Sequence, residues 1–157
     1  RVLRLESLRA YPNSFGSTYQ EQKQRNKLAF ENYVEQKHLE NFILGAFIRD
    51  RLIGICGFYR LSDARCRHRG EIIQMYVKAE HQGKQIGYHL LQATVAEAFA
   101  LEGLEQIELQ VMSNLESANK LYERAGFQEI GMQKGFYKQD EVYLDQRLMA
   151  LYPKRRD

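Results

Sequence analysis

Residues 82–87 (Gln-Gly-Lys-Gln-Ile-Gly) are the stretch whose residue types and spacing best fit a ligand site. An apolar strand pattern over residues 72–77 precedes them, and a helical apolar pattern begins at Ile86. The first N–H groups of a helix have no partner within it, and the helix dipole adds partial positive charge there. The pattern therefore predicts an anion site, suited to a diphosphate. Neither G-x-x-x-x-G-K-[ST] nor G-x-G-x-x-G occurs, so backbone amides are expected to hold the phosphate.

A second segment carries another dense pattern. Leu109-Gln110-Val111 is followed by Asn114 and then by residues 118–127 (ANKLYERAGF). Together the two segments resemble the GNAT superfamily of N-acetyltransferases, whose acyl-CoA signature is [Q/R]-x-x-G-x-[G/A]. Gln82 fits the first position, Gly87 fits the last, and Gln85 stands where the middle glycine is expected. The resemblance covers about residues 42–150 well and the first forty weakly.

The resemblance implies an α/β (α+β) fold with a mixed, mostly antiparallel central sheet and helices on both of its faces. The two central strands, ending near Val77 and Val111, splay apart, and acyl-CoA lies in the gap. Gln85 puts a side chain where the family usually has none, which is expected to limit the approach of the diphosphate. The implied cofactor-binding residues are Met75, Tyr76, Val77, Gln82, Gly83, Lys84, Gln85, Ile86, Gly87, Asn114, Asn119 and Tyr122.

Two residues are candidates for catalysis of acyl transfer to an amine. By the resemblance, Tyr122 lies near the sulfur of the cofactor and Glu71 accepts the proton of the amine. An amine with a pKa of about 10.4 must lose a proton at neutral pH, so a base is needed. The alternative for Tyr122 is a packed helix tyrosine, and the alternative for Glu71 is an exposed residue at a strand end.

The other polar candidates have two interpretations each. Asn114 is either a helix N-cap or a contact to the pantetheine amides. Asn119 lies within a predicted helix, where asparagine is unfavourable, which favours a ligand contact. Lys84, Lys120 and Arg124 either meet the cofactor phosphates or are solvated surface charges.

The elements that must position these residues follow from apolar periodicity and turn residues. A helix is predicted over residues 1–10, one or two helices within 14–40, and a hairpin with a turn at 49–51. Ser113 and Glu116 are predicted to form a capping box for a helix at 115–125, and Gly126 ends that helix. The remaining predictions are strands at 42–48, 52–60, 71–78 and 105–111, a helix at 85–101, and two strands within 127–150.

Composition limits the class of protein. The chain has 157 residues, 44% of them hydrophobic and 27% charged, which predicts one globular domain over residues 1–157. It starts at Arg1 rather than methionine, so we expect a trimmed piece whose first strand is missing. Cys56 and Cys66 are interpreted as reduced thiols of a cytoplasmic protein. No apolar run spans a membrane, and the four histidines have no metal-ligand spacing, so no metal is predicted.

These observations favour an acetyl-CoA-dependent N-acetyltransferase acting on a primary amine of a small molecule, peptide or protein. One alternative is a non-catalytic acyl-CoA-binding module, which the departure at Gln85 supports. The other is a nucleic-acid-associated protein that uses the basic run Arg65–Arg69. The net charge of +3 and the lack of interleaved aromatic residues favour a solvated loop for that run. The predicted partners are acetyl-CoA and an amine, without nucleic acid or membrane, and with a homodimer as an alternative to a monomer.

Overall fold

The structure, a computed structural model, describes residues 1–153 of the chain. The predicted domain end at residue 157 lies outside these residues, and the assignment of a single domain stays a prediction. The helices are α1 (Val2–Ala10), α2 (Tyr19–Gln24), α3 (Ala29–Glu35), α4 (Ile86–Phe99) and α5 (Glu116–Arg124). The strands are β1 (Asn41–Ile48), β2 (Arg51–Arg60), β3 (Arg69–Val77), β4 (Gln106–Met112), β5 (Gln128–Gln139) and β6 (Val142–Leu151).

The strands form one six-stranded sheet in the order β1-β2-β3-β4-β6-β5. All neighbouring pairs are antiparallel except β3 and β4, which run parallel and are paired only from Arg69 with Gln106 to Glu71 with Glu108. Beyond Glu71 the two strands separate. The predicted fold class is confirmed: a mixed, mostly antiparallel sheet with a splay between its central strands.

A β-bulge helps to direct β3 away from β4. Tyr76 pairs with Ile55 and Ile73 pairs with Gly57, so two residues of β3 oppose the single residue Cys56 of β2. Gln74, in this bulge, has a φ of +53°. A bulge bends its strand and increases the local twist, which opens the sheet on the side of β4.

Helices cover both faces of the sheet. On one face the core contains residues of α4 and α5, including Leu91 and Tyr122, packed with the inward side chains of β2, β3, β4 and β6. On the other face a smaller core joins Leu3 of α1 to Ile55 and Tyr76. Burial of these apolar surfaces provides the main stabilisation and leaves the gap between β3 and β4 open at the edge of both cores.

Most predicted elements match the structure within two residues at each end, but the capping box is wrong. The N-cap of α5 is Leu115, without a side-chain hydrogen bond, so Glu116 is the first helical residue. The N–H of Ser113 donates to the carbonyl of Asp145 at 2.9 Å, which keeps Ser113 in contact with β6. Gly126 follows α5 with a φ of +97°, as expected for a glycine that ends a helix. Within residues 1–153 no helix is both long and apolar enough to cross a membrane.

Candidate functional site

A cavity of about 1200 Å³ opens where β3 and β4 diverge. Small-molecule sites commonly measure about 300–1,000 Å³, so this cavity suits a long ligand together with a second molecule. Its wall comes from β3, the turn before α4, the end of β4, α5, and the segment from α1 to α3. The predicted site residues that line it are Glu71, Met75, Tyr76, Val77, Gln82, Gly83, Gln85, Ile86, Gly87, Asn114 and Tyr122.

The turn before α4 presents unpaired backbone donors to this cavity. Gly83 and Gln85 have φ angles of +74° and +60°, and α4 has no side-chain cap at its N-terminus. Among the described residues, no turn or loop carbonyl accepts a hydrogen bond from the N–H groups of residues 83–87. Free N–H groups at the positive end of a helix attract anions, and the anion site at this turn stays a prediction.

Gln82 holds this turn against its neighbours. Its Nε2 donates to the carbonyl of Val77 at 2.8 Å and to the hydroxyl of Tyr11 at 3.2 Å. Gly87 allows the first turn of α4 to approach β3, since an added Cβ would lie 3.2 Å from Cε of Met75. Both residues border the cavity, and both therefore also have a structural role.

The side chain of Gln85 has a hydrogen-bond partner within the protein. Its Oε1 accepts a hydrogen bond from Nη2 of Arg124, whose guanidinium stacks on the ring of Tyr88. The expectation that this side chain limits the approach of a diphosphate overlooked this partner on α5. Gln85 and Arg124 both line the cavity beside the unpaired N–H groups.

Tyr122 lies on the inner face of α5, with 8% of its surface exposed. Its ring packs edge-on against Phe127, with the ring centroids 6.1 Å apart. Burial, with a smaller contribution from nearby Cys56, raises the pKa of the Tyr122 phenol well above its usual value. The phenol therefore stays protonated and can donate a hydrogen bond into the cavity that it lines.

Glu71 lies where the pairing of β3 and β4 ends, in register with Tyr59 on β2 and Glu108 on β4. Glu108 accepts a hydrogen bond from Nε of Arg69 at 2.6 Å, whereas within residues 1–153 Glu71 has no ion pair. Burial and the neighbouring Glu71 carboxylate raise the pKa of the Tyr59 phenol. Glu71 is thus a half-buried carboxylate that lines the cavity beside the Tyr59 phenol.

Two predicted cofactor residues do not line the cavity. Lys84 donates from Nζ to the carbonyl of Glu80 at 3.1 Å. Asn119 is buried, and its Nδ2 donates to the carbonyls of Met112 and Leu115 at 3.0 and 2.8 Å. Its Oδ1 accepts from Arg147, so the amide is used to join α5 to the end of β4.

The remaining polar candidates, Asn114 and Lys120, are exposed residues that line the cavity. Asn114 is exposed and lines it, and the helix N-cap is the next residue, so the interpretation of Asn114 as N-cap is wrong. Lys120 also lines the cavity and lies 3.8 Å from Glu116 in an exposed ion pair. An exposed pair of this kind has little energetic value and leaves Lys120 free to meet a ligand.

Sequence reasoning missed three residues that line the cavity on the face of the sheet near α1. Arg4 of α1, Tyr137 of β5 and Gln146 of β6 all lie there. The one signal in the sequence was the arginine between Leu3 and Leu5, a charge within an apolar stretch of a helix. Tyr137 and Gln146 gave no signal, because their position depends on which strand pairs with β4.

The basic run Arg65–Arg69 is partly neutralised. Arg67 pairs with Glu40 at 2.7 Å, and Arg69 pairs with Glu108. Paired arginines are less available for phosphate contacts, which weakens the case for a nucleic-acid surface. Within the described part of the chain, no cluster of three His, Cys, Asp or Glu residues could hold a metal ion.

The sequence of the chain is similar to a family model and to a known protein. Residues 5–127 match the model of the Acetyltransferase (GNAT) family. Mycothiol acetyltransferase of Propionibacterium freudenreichii subsp. shermanii is 33% identical over 90 residues, which are 56% of this chain and only 28% of that protein.

Two solved structures show a similar fold. Ribosomal-protein-alanine N-acetyltransferase from Brucella melitensis has a TM-score of 0.76 and 19% identity, covering 97% of this chain and 93% of that one. The putative acetyltransferase yncA from Salmonella typhimurium, solved with its cofactor acetyl-CoA, has a TM-score of 0.70 and 23% identity, covering 78% and 70%.

Proposed function

Because the chain belongs to the acetyltransferase (GNAT) family, we propose that it is an N-acetyltransferase that uses acetyl-CoA to acetylate a primary amine. The observation that carries the proposal is the gap between β3 and β4, which is bordered by the unpaired N–H groups of residues 83–87. These donors fit the diphosphate of coenzyme A. A neighbour of the same fold has been solved with acetyl-CoA, which supports this choice of ligand.

The residues of the chain divide the chemistry between them. Bound acetyl-CoA would supply the acetyl group as a thioester. The edge of β3 at residues 75–77 has no partner on β4, so the backbone N–H groups there that do not face β2 can donate to the thioester carbonyl. Glu71 accepts a proton from the amine, directly or through water, so that the nitrogen can attack.

Tyr122 acts on the departing sulfur. The C–N bond forms as the C–S bond breaks, and negative charge develops on the sulfur. Because burial raises the pKa of Tyr122 above an ordinary phenol, complete proton transfer to a thiolate with a pKa of about 8.5 is uphill. The hydroxyl is therefore assigned the role of a hydrogen-bond donor to the sulfur rather than that of a full acid.

The two alternatives have less support. Gln85, the feature that favoured a non-catalytic module, has Arg124 as a partner of its own. Two arginines of the basic run are paired with acids, which disfavours nucleic acid. The free thiols of Cys56 and Cys66 are compatible with a reducing compartment, and a cytoplasmic location is part of the proposal.

The decisive experiment combines binding and turnover. Acetyl-CoA at one hundred times its dissociation constant should stabilise the fold by about 3 kcal/mol, measured as a thermal shift. A panel of primary amines with acetyl-CoA should then release free thiol, detected with a thiol reagent. Absence of a thermal shift at millimolar acetyl-CoA would contradict cofactor binding, and binding without turnover would favour the non-catalytic module.

A further inference from the structure

Arg4 is a partly buried arginine without an acidic partner among the described residues. It lies on α1, lines the cavity, and its guanidinium carbon lies 4.5 Å from the centre of the Phe15 ring. Its Nη1 atom is buried and has no hydrogen-bond partner within residues 1–153. Burial lowers the pKa of Arg4 only to about 10, so the side chain remains charged at neutral pH.

A buried cation without a partner is costly to the folded protein. Guanidinium groups carry five N–H donors and no acceptor, so only an anion or a set of carbonyls can satisfy them. Glu6, the acid of the same helix, is already bound to Tyr76 at 3.2 Å and to Lys78 at 3.2 Å. The cavity is therefore the remaining source of an anion for Arg4.

Arg4 lies in the wall of the cavity, and the neighbouring residues of this wall contact one another. Gly16, next to Phe15, lies so close to Tyr137 that an added Cβ would be 3.0 Å from its hydroxyl. That hydroxyl accepts a hydrogen bond from Nε2 of Gln146 at 3.2 Å. Gln146 is only 2% exposed, and its Oε1 is buried without a partner.

Glu71 is part of the same cavity wall. Nε2 of Gln146 also donates to Oε1 of Gln110 at 3.0 Å, and Gln110 is two residues beyond Glu108, the register partner of Glu71. Residues two apart on a strand lie on the same face. Among the described residues, the cavity wall thus carries a cation without an acidic partner at Arg4, a carbonyl acceptor without a donor at Gln146, and at Glu71 a carboxylate that forms no ion pair.

The position of Arg4 separates it from the diphosphate turn. Tyr11, just past the end of α1, contacts Gln82 of that turn. Arg4 lies seven residues earlier, about 10 Å back along the chain at the rise of a helix. The anion that Arg4 needs is therefore expected on the second substrate rather than on the diphosphate.

We propose that the amine acceptor carries an oxyanion group, a carboxylate or a phosphonate, which Arg4 binds while Glu71 and Gln146 face the amine. This inference rests on the proposed function. Arginine matches both oxyanions through two parallel N–H donors. Amino acids and aminoalkylphosphonates are thus the two sources to compare, against amines that lack an acidic group.

The test uses matched compounds and three variants. Wild type, Arg4→Met, Arg4→Lys and the exposed control Arg9→Met are assayed with saturating acetyl-CoA and with amino acids, aminoalkylphosphonates and the corresponding decarboxylated amines. Acid-bearing amines should be preferred by the wild type, and Arg4→Met should raise their KM at least tenfold with little change in kcat. Arg4→Lys should recover part of the loss, and Arg9→Met should behave as wild type.

A second measurement does not depend on turnover. N-acetylated amino acids, as products, should bind the wild-type protein with coenzyme A at least tenfold more tightly than they bind Arg4→Met. The variant should keep or raise the melting temperature, because removal of an unpaired buried charge is neutral or stabilising. It should also keep the affinity for acetyl-CoA.

The failures of the two proposals are distinguishable. Loss of activity to the same extent for amines with and without an acid, or preference of the wild type for amines without one, would overturn the role of Arg4 and leave the proposed function intact. Failure of every N-acetylated amino acid to bind would also overturn it. Absence of acetyl-CoA binding in the wild type would instead contradict the proposed function.

Discussion

Arg124 donates a hydrogen bond from Nη2 to Oε1 of Gln85 at 2.9 Å and so ties α5 to the turn that starts α4. The guanidinium carbon of Arg124 also lies 4.1 Å from the centre of the Tyr88 ring. The side chain at position 85 therefore has a role between the helices, on a backbone with a φ of +60°. That backbone conformation favours glycine and costs roughly 1–2 kcal/mol for most other residues.

Gln85→Gly and Gln85→Ala separate these two contributions. Both variants lose the hydrogen bond to Arg124, but only alanine keeps a Cβ at positive φ. Gln85→Gly should therefore be more stable than Gln85→Ala by about 1 kcal/mol, measured by urea unfolding without ligand. Equal stability of the two variants would show that residue 85 leaves the left-handed region in solution.

Acetyl-CoA affinity provides the matching readout for Gln85. Because the Gln85 amide is held by Arg124, removing this side chain should change the dissociation constant of acetyl-CoA by less than about threefold, which corresponds to about 0.7 kcal/mol. Calorimetric titration of both variants measures this. A tenfold tighter complex in Gln85→Gly alone would support direct crowding of the diphosphate.

The turn and the bulge illustrate what sequence could predict in this chain. The apolar strand before residues 82–87 and the apolar helix after them are local patterns, so their order could be predicted, and the anion site between them stays a prediction. The bulge at Gln74 could not, because its positive φ is imposed by pairing with β2 and the residue is not glycine. The partner of Gln85 lies 39 residues away, and no local pattern specifies it.

The part of the cavity wall that contains Arg4 and Gln146 was the least predictable part. Arg4 and Gln146 line the same cavity because α1 packs on one face of the sheet and β6 pairs with β4. These are tertiary contacts between segments that are far apart in the chain. The resemblance to a family was weakest in the first forty residues, where part of this wall is encoded.

Gly70 provides a test of the packing that supports Glu71. A Cβ at position 70 would collide with the ring of Phe58 and lie 2.8 Å from the carbonyl of Tyr59. Gly70→Ala should destabilise the fold by about 1–3 kcal/mol, because neither the buried ring nor the strand backbone can move freely. Urea unfolding measures the loss.

Gly131→Ala is the matched control for Gly70→Ala. It lies on β5, where an added Cβ would meet only Cδ1 of Leu148 at an ordinary 3.6 Å. Its stability should stay within about 0.5 kcal/mol of wild type. A similar loss in both variants would mean that glycine in these strands is required for some reason other than the collision at Phe58.

Substitution by alanine should have opposite effects at Asn119 and Asn114, on the stability of the fold in one case and on the affinity for acetyl-CoA in the other. Asn119→Ala removes a buried amide that donates to two carbonyls, so it should cost about 1–3 kcal/mol of stability with little effect on acetyl-CoA affinity. Asn114→Ala, at an exposed position on the cavity, should keep stability and weaken binding. Thermal unfolding and calorimetry decide both, and weaker binding in a fully stable Asn119→Ala would return Asn119 to the cofactor site.

Glu71→Gln tests the assignment of the base. The amide keeps the shape of the carboxyl group but cannot accept the proton of an ammonium group, so turnover at pH 7 should fall on the order of a hundredfold. The defect should shrink as pH rises toward about 10.4, where the amine loses its proton unaided. Initial rates between pH 6.5 and 10 measure this profile.

The control for Glu71→Gln is Glu97→Gln, an exposed acid on α4 outside the cavity. It should keep both the rate and its pH dependence. A defect in Glu71→Gln that stays constant across pH would assign Glu71 to substrate positioning rather than to proton transfer.

Tyr122→Phe tests the donor to the sulfur. The variant keeps the ring and its packing against Phe127 but removes the hydroxyl. Because the hydroxyl is needed only as negative charge develops on sulfur, kcat should fall while acetyl-CoA affinity stays nearly unchanged. A hydrogen bond to a charged group is worth about 2–3 kcal/mol here, which predicts a loss of roughly 30- to 150-fold in rate.

Two measurements complete the test of Tyr122. Steady-state rates with a responsive amine give kcat, and calorimetric titration gives the affinity for acetyl-CoA. Tyr143→Phe, at a position with 63% exposure on β6, is the control and should match wild type in both. Full activity in Tyr122→Phe would mean that water or another donor serves the sulfur, and it would leave Tyr122 with the packing role that its burial in the core already gives it.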